Sequence, residues 1–443
     1  MSALGEGASP AVAFVTLGCA KNEVDTREMG ERLLDAGFAV VDDPARAQAV
    51  VVNTCAFIQS AIEESLDAIF DAADLPNVVA GAPLIVAGCM PSRFGDELAT
   101  ELPEARSFLP CSREDDIAEV VSRALGLGGL PSGAPWRQPL GCGLEGESPA
   151  GAPFAYVKIS DGCDRRCSFC TIPDIRGPYR SFSVETVARD VARQVERGAR
   201  EIVLIAQDTG CYGHDLDEPT TLAALLDRMA AAHPDVWFRV MYTEPDGITD
   251  ELLDVVAGRD NVCSYFDIPL QHVSATVLRS MRRRGDAEAF RALVGRIRSS
   301  VPGATLRTTL IAGFPGETDE QFQELCDFVA EGLFDYVGVF AYSAEEGTAA
   351  ASLPGQLDED EKRERAQAVR DVADAVCTAK VAERVGSVCE VLVEGYVEDG
   401  QLYGRARCQA PEVDGVVYLE SGEVGQFASV RIADTLLYEM ESE

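Results

Sequence analysis

The chain has 443 residues, 47% of them apolar, enough for roughly two to four domains with cores of their own. Its 74 Asp plus Glu against 38 Lys plus Arg leave a formal charge of −36. That argues against a broad grip on nucleic acid phosphates and is compatible with a basic protein partner. No run approaches the roughly 18 apolar residues of a spanning helix, and the opening "MSALGEGASPAVAFVTLGC" has no basic leader pattern. The expectation is a cytoplasmic protein without membrane contact. Fourteen cysteines are spread too thinly for a disulfide scaffold, and with only three histidines any metal chemistry here is thiolate chemistry.

Residues 11–123 alternate strand-like apolar runs with helical stretches, the pattern of a parallel α/β sheet. Three of the runs end on a cysteine: "AVAFVTLGC" at Cys19, "AVVVNTC" at Cys55 and "PLIVAGC" at Cys89. The intervals of 36 and 34 residues are each one βα unit long. Because the carboxyl ends of parallel strands share one sheet edge, the three thiols are expected to meet there. Cysteine is also common near buried strands, so packing is the alternative reading. Cys111, after "RSFLP", is a competitor or a fourth ligand.

Residues 124–153 are dense in Gly and Pro and read as a linker. From 154 six candidate strands follow, at 154–160, 201–207, 236–243, 263–270, 305–313 and 335–343, with helical patterns such as 184–198 and 319–332 between them. Six βα units with right-handed crossovers predict a partial (β/α)6, TIM-like barrel with a following helix over 154–378, the helix beginning in a charged run at 358–386. The stretch 379–443 changes to short β-rich segments broken by Gly and Asp, the signature of a small all-β, OB-like barrel. The fold class is thus a multidomain α/β chain with an all-β C-terminal domain.

Directly after the first barrel strand comes "DGCDRRCSFC", with Cys163, Cys167 and Cys170 in a polar loop at the carboxyl mouth of the barrel, where such folds build their sites. Three thiolates suit a cubane iron–sulfur cluster with one open iron, or a zinc ion completed by a distant residue. Strand ends elsewhere offer Gln207, Asp208, Glu244 and Arg307, and the "AGFPGE" turn offers Gly313 and Gly316 for close backbone approach. Each also has an ordinary reading as a helix cap, turn glycine or surface charge. Cys142, Cys211, Cys263, Cys326, Cys377, Cys389 and Cys408 lack partner spacing and read as mostly buried hydrophobes.

C-x3-C-x-aromatic-C, with Phe169 as the aromatic, resembles the radical S-adenosylmethionine superfamily. The resemblance implies a 4Fe–4S cluster on Cys163, Cys167 and Cys170 whose fourth iron chelates S-adenosylmethionine. It also implies reductive cleavage to a hydrogen-abstracting deoxyadenosyl radical, with Phe169, Gln207, Asp208, Glu244, Arg307 and Gly313 as candidate contacts. "TLGCAKNEVD", "VNTCAFI", "AGCMPSR", "LIAQDT", "DIPLQH", "MRRRG" and "TTLIAGFPGET" narrow this to the methylthiotransferases. That resemblance implies a second 4Fe–4S cluster on Cys19, Cys55 and Cys89 to bind or activate sulfur, and a C-terminal TRAM domain.

The family divides into tRNA-modifying members and the RimO type, which modifies an aspartate of ribosomal protein S twelve. Residues 381–443 carry four Arg, no Lys and thirteen Asp plus Glu, a net −9. Such a barrel repels a phosphate backbone and steers a basic protein. "QAPEVDGVVYL" (409–419) also resembles the RimO version. The expected partners are therefore ribosomal protein S twelve, an electron donor and a sulfur source. A tRNA adenosine methylthiotransferase and a non-catalytic iron–sulfur protein stay open as alternatives.

Overall fold

The computed structural model describes residues 9–130 and 153–443; Cys142 and most of the expected linker lie outside them. The chain forms two compact units. Of the described residues, the first comprises 9–130 with 162–164 and 170–179, and the second comprises 153–161, 165–169 and 180–443.

The first unit is built on a five-stranded parallel sheet of β1 (Ala11–Thr16), β2 (Ala39–Val40), β3 (Ala49–Thr54), β4 (Leu84–Gly88) and β5 (Ser107–Pro110), in the order β2-β1-β3-β4-β5. Its central strand, "AVVVNT", is buried at every position. A strand covered on both faces has no polar side, so an uninterrupted apolar run is what the sequence must supply. The faces still alternate. Ala13, Val50, Val52 and Val86 pack into one core with Ile62 and Ile69 of the helix Gln59–Ala73. Phe14, Val51, Ile85 and Ala87 pack into the other with Met29 and Leu33 of the helix Ala20–Asp35.

In the second unit β6 (Phe154–Lys158) is followed by the short antiparallel pair β7 (Ser160–Asp161) and β8 (Arg180–Ser181). The parallel strands β9 (Glu201–Ile205) and β10 (Trp237–Val240) complete a sheet with β6 in the order β10-β9-β6. A second parallel sheet has the order β11 (Tyr265–Asp267), β12 (Thr305–Ala312), β13 (Tyr336–Ala341). A bridge between Phe238 and Val262 connects them, so the six expected strands follow one another around a partial barrel. Helices occupy each crossover. Val184–Glu196 is capped by Ser183, Asp319–Ala330 opens on a Thr318/Gln321 capping box, and Asp358 caps the charged helix Glu359–Ala382. That last helix runs past the boundary expected at 378/379.

Beyond it β14 (Val388–Tyr396), β15 (Leu402–Ala406), β16 (Val417–Leu419), β17 (Phe427–Leu436) and β18 (Glu439–Ser442) form a closed barrel. The run "FASVRIADTLLYEME" forms two antiparallel strands. Leu437, a non-glycine residue at φ 56°, makes the reversal. No helix among the described residues is long and apolar enough to cross a membrane.

Candidate functional site

In the first unit three cysteines lie just beyond strand ends, Cys55 and Cys89 directly and Cys19 three residues on. Cys19 caps the helix Ala20–Asp35 after β1, Cys55 follows Thr54 of β3, and Cys89 follows Gly88 of β4. Asn22, one turn into the first of these helices and 1% exposed, sits among them. Its Oδ1 lies 3.6 Å from Cys19 Sγ and 4.0 Å from Cys89 Sγ, while its Nδ2 donates to the Thr54 carbonyl at 3.0 Å. Cys55 is pinned by Ser65, whose Oγ accepts from the Cys55 N–H at 3.1 Å and donates to the Cys55 carbonyl at 2.8 Å. Gly18, at φ +97°, brings the chain against Cys55: a Cβ there would lie 2.7 Å from Cys55 Cβ and 3.1 Å from its Sγ. Only glycine closes the thiol group this tightly.

Burial pushes the Cys55 thiol up, with Cys19 adding to the shift and Arg176 opposing it. Cys111 opens directly after β5 at the same sheet edge, its N–H held by Ser92 Oγ at 2.8 Å. Its thiol is pushed up by a hydrogen bond with Cys89 and by burial.

Among the described residues no three His, Cys, Asp or Glu side chains converge as ligands of a single ion. A cubane distributes its thiolates over separate irons, and donors aimed at the sulfurs suit thiolate ligands. Arg176 Nη2 stands 3.9 Å from Cys89 Sγ, so the residues of the first unit fit such a group.

The loop carrying the second trio is divided between the units. Cys163 and Cys170 pack with the first, where the Cys163 N–H donates to the Gly177 carbonyl at 3.2 Å and the Ile172 N–H reaches Cys170 Sγ at 3.5 Å. Cys167 belongs to the second, with Arg283 Nη1 3.7 Å from its Sγ. Burial pushes the Cys167 thiol up against the pull of Arg283. Sulfur-directed donors at Cys167 and Cys170 likewise fit thiolate ligation.

Around Cys167 the second unit assembles several expected residues. Glu244, just after β10, receives both terminal nitrogens of Arg283, which also donates to the Pro269 carbonyl at 2.6 Å. Burial lifts the Glu244 carboxyl above the usual carboxylate range, with Arg283 opposing. Asp208 accepts from Arg165 Nε at 2.5 Å and caps Gly210 N–H at 3.1 Å; Arg165 also reaches Asp246 at 2.5 Å. Gln207 is half-buried next to it, and Phe169 packs against the core of this unit. Tyr242 and Gln271 hold left-handed φ of 60° and 69° beyond the ends of β10 and β11, a backbone strain that clusters at functional sites.

Two expected contacts are otherwise engaged. Arg307 donates to Asp267 at 3.0 Å and lies 3.4 Å from Asp414 of the C-terminal domain, in a buried network that also takes in Tyr265. Gly313 also lets a helix approach closely: a Cβ would lie 2.9 Å from Lys362 Cγ and 3.0 Å from its Cα. The Gly316 N–H donates to the Gly355 carbonyl. Cys211, expected as a buried hydrophobe, is half-buried and donates to Asp208 at 3.1 Å, its thiol pushed up to about 12 chiefly by burial. Cys263, Cys326 and Cys377 are buried, and Cys389 and Cys408 half-buried. Asn22, Arg176 and Arg283 were not singled out by sequence, although Asn22 lies within the quoted "TLGCAKNEVD" and Arg283 within "MRRRG".

Residues 11–110 match the Uncharacterized protein family UPF0004, residues 157–329 the Radical SAM superfamily and residues 385–443 the TRAM domain. The chain is 40% identical to the ribosomal protein uS12 methylthiotransferase RimO of Trichlorobacter lovleyi, with 98% of this chain and 97% of that one covered. It is 42% identical to the protein of the same name from Syntrophus aciditrophicus (93% and 92% covered) and 38% to that from Clostridioides difficile (97% of each). Among solved structures, the radical S-adenosylmethionine methyltransferase TsrM from Kitasatospora setae superposes with a TM-score of 0.55 at 16% identity over 76% of each chain. The cobalamin-dependent S-adenosylmethionine radical enzyme OxsB gives 0.51 at 13% identity, covering 82% of this chain and 56% of its own. At such identities the likeness is one of fold.

Proposed function

The chain belongs to the RimO family of ribosomal protein uS12 methylthiotransferases, and on that premise we propose that it adds a methylthio group to the β-carbon of an aspartate in uS12. The observation that carries the reading is the gathering of Cys19 and Cys89 about Asn22, with Cys55 against Gly18, in a chain that also bears the Cys163/Cys167/Cys170 loop. Membership of the Radical SAM superfamily implies a 4Fe–4S cluster and S-adenosylmethionine. The second 4Fe–4S cluster, on the first-unit trio, belongs to the proposal, as do an external electron donor, a sulfur source and action in the cytoplasm.

When bound, the cluster at Cys163, Cys167 and Cys170 supplies the electron for S-adenosylmethionine cleavage and so for hydrogen abstraction. The protein's part is to hold and orient. Arg283 neutralises Glu244 beside Cys167 and points a donor at its sulfur. Arg165 ties the cysteine loop to Asp208 and Asp246 beyond the next strands. Asn22 and Ser65 keep the first-unit thiols in register so that sulfur meets a substrate radical before it is quenched. Exposed Glu390, Glu398, Asp399, Glu420, Glu423 and Asp434 give the C-terminal barrel an acidic surface suited to a basic protein.

Anaerobic reconstitution is expected to load about eight irons per chain, as two cubanes. Replacing Cys163, Cys167 and Cys170 by Ala abolishes deoxyadenosine formation. Replacing Cys19, Cys55 and Cys89 leaves it but stops methylthio transfer. Mass spectrometry of uS12 and of tRNA after turnover tests the substrate: the methylthio increment on tRNA alone would overturn the assignment.

A further inference from the structure

Arg176 closes the short helix Ile172–Arg176, six residues after Cys170 and within the first unit. Its Nη2 lies 2.7 Å from Asp25 Oδ2, 3.1 Å from Asn22 Oδ1 and 3.9 Å from Cys89 Sγ. Both partners of the Arg176–Asp25 pair are 1% exposed. Burying two charges costs several kcal/mol per ion before their attraction is counted, so such a pair is a poor device for mere anchoring. The segment already has other anchors: Ile175 packs in the core with Ile62 and Met90, and Thr171 Oγ1 donates to the Phe57 carbonyl at 3.3 Å. What the guanidinium adds is a fixed positive charge and an N–H donor at a sulfur that is a thiolate whenever it ligates metal. Charge and hydrogen bonds at ligand sulfurs set the potential of an iron–sulfur centre, and they act strongly where water is excluded.

We propose that Arg176 is a positioning residue for the first-unit cluster, holding Cys89 by an N–H···S contact and, with Asp25 as its counter-charge, setting the reduction potential of that centre. The proposal rests on the reading that Cys19, Cys55 and Cys89 hold a cluster. It gives the segment that carries Cys170 a second task, since the same ten residues supply a ligand to one trio and a charge to the other.

The test uses the full chain with Cys163, Cys167 and Cys170 replaced by Ala, reconstituted anaerobically so that only the first-unit centre remains. Iron content is measured first, then the midpoint potential by a redox titration followed by electron paramagnetic resonance. Arg176→Gln removes the positive charge and shifts the potential down. Asp25→Asn removes the counter-charge and shifts it up, and Arg176→Lys stays nearer the parent. Both the Gln and the Asn variants break the same ion pair, so simple loosening of the segment moves them in the same direction. Shifts of the same sign, or none, overturn the proposal. If Arg176→Gln takes up no iron, the other two decide: an upward shift in Asp25→Asn with Arg176→Lys near the parent supports the proposal, and a downward shift or none in Asp25→Asn overturns it. If the parent itself holds no iron, the cluster reading fails and the proposal falls with it.

Discussion

Arg405 in the C-terminal barrel donates to Glu201, the first residue of β9, at 2.5 Å, with both side chains withdrawn from solvent. Glu201 also accepts from Arg239 at 2.7 Å, and Arg405 makes a further contact to Glu394. Removing one member leaves buried charge uncompensated. Glu201→Gln is therefore expected to lower stability by roughly 3–5 kcal/mol, read as a fall in the unfolding midpoint in denaturant. Asp414→Asn is expected to cost less: Asp414 faces one arginine at 3.4 Å, and burial lifts its carboxyl above the usual range. An equal loss in the two variants would contradict this ranking.

The same carboxylate predicts a pH dependence. Burial opposes ionisation of Glu201, yet Arg239 and Arg405 outweigh it and hold the carboxyl below its usual range. At Glu317 burial is likewise outweighed by His272, Arg365 and the Gly313 N–H. A carboxyl with a depressed folded pKa contributes stability above the unfolded value, about 4.3. That contribution is lost as pH falls from there through the folded pKa, because the unfolded state then binds more protons. Thermal midpoints taken downward from about pH 5 should fall, and less steeply in Glu201→Gln, which has no proton to take up at that position.

Gly18→Ala should separate the two proposed metal centres. The new methyl meets Cys55 Cβ at 2.7 Å in a backbone conformation that side chains avoid, a strain of roughly 1–3 kcal/mol before the clash is added. The expected result is about half the iron of the parent, with deoxyadenosine formation retained and methylthio transfer lost. Full iron content and full transfer in this variant would show that Gly18 does not shape the thiol group.

Arg283→Ala leaves Glu244 buried without its cation and removes a donor from Cys167. Loss of such an outer partner commonly reduces metal affinity or activity by roughly 10–100-fold. A loss of that order is expected in deoxyadenosine formation. Arg283→Lys should recover part of it, since it restores the charge without the two-pronged contact to Glu244.

Much of this was legible in the chain because it is periodic. The intervals between Cys19, Cys55 and Cys89 match one βα unit each, and all six barrel strands lie within their expected runs. What escaped reading depends on partners far away in sequence. Arg307 lies in an expected strand but near its amino end, and its partner Asp414 lies more than a hundred residues on. The closeness of Lys362 to Gly313 cannot be read locally either, since the two lie 49 positions apart. Arg176 and Asp25 are 151 positions apart, and although Asp25 ends the quoted "TLGCAKNEVD", nothing local pairs the two. The reversal at Leu437 was invisible because a leucine takes the place a glycine would have marked.

The network joining the small barrel to the large one bears on how freely such domains can be exchanged. Asp414 accepts from Tyr265 at 2.5 Å, Glu412 from Tyr156 at 2.9 Å, and Arg239 donates to the Arg407 carbonyl at 2.9 Å. A C-terminal barrel grafted from a relative with a different substrate would need its own counterparts to Arg405, Glu412 and Asp414. Without them Glu201 and Arg307 would be left half-paired in the recipient. Retargeting this enzyme by swapping modules is therefore a problem of matching buried charges as much as of choosing a new recognition surface.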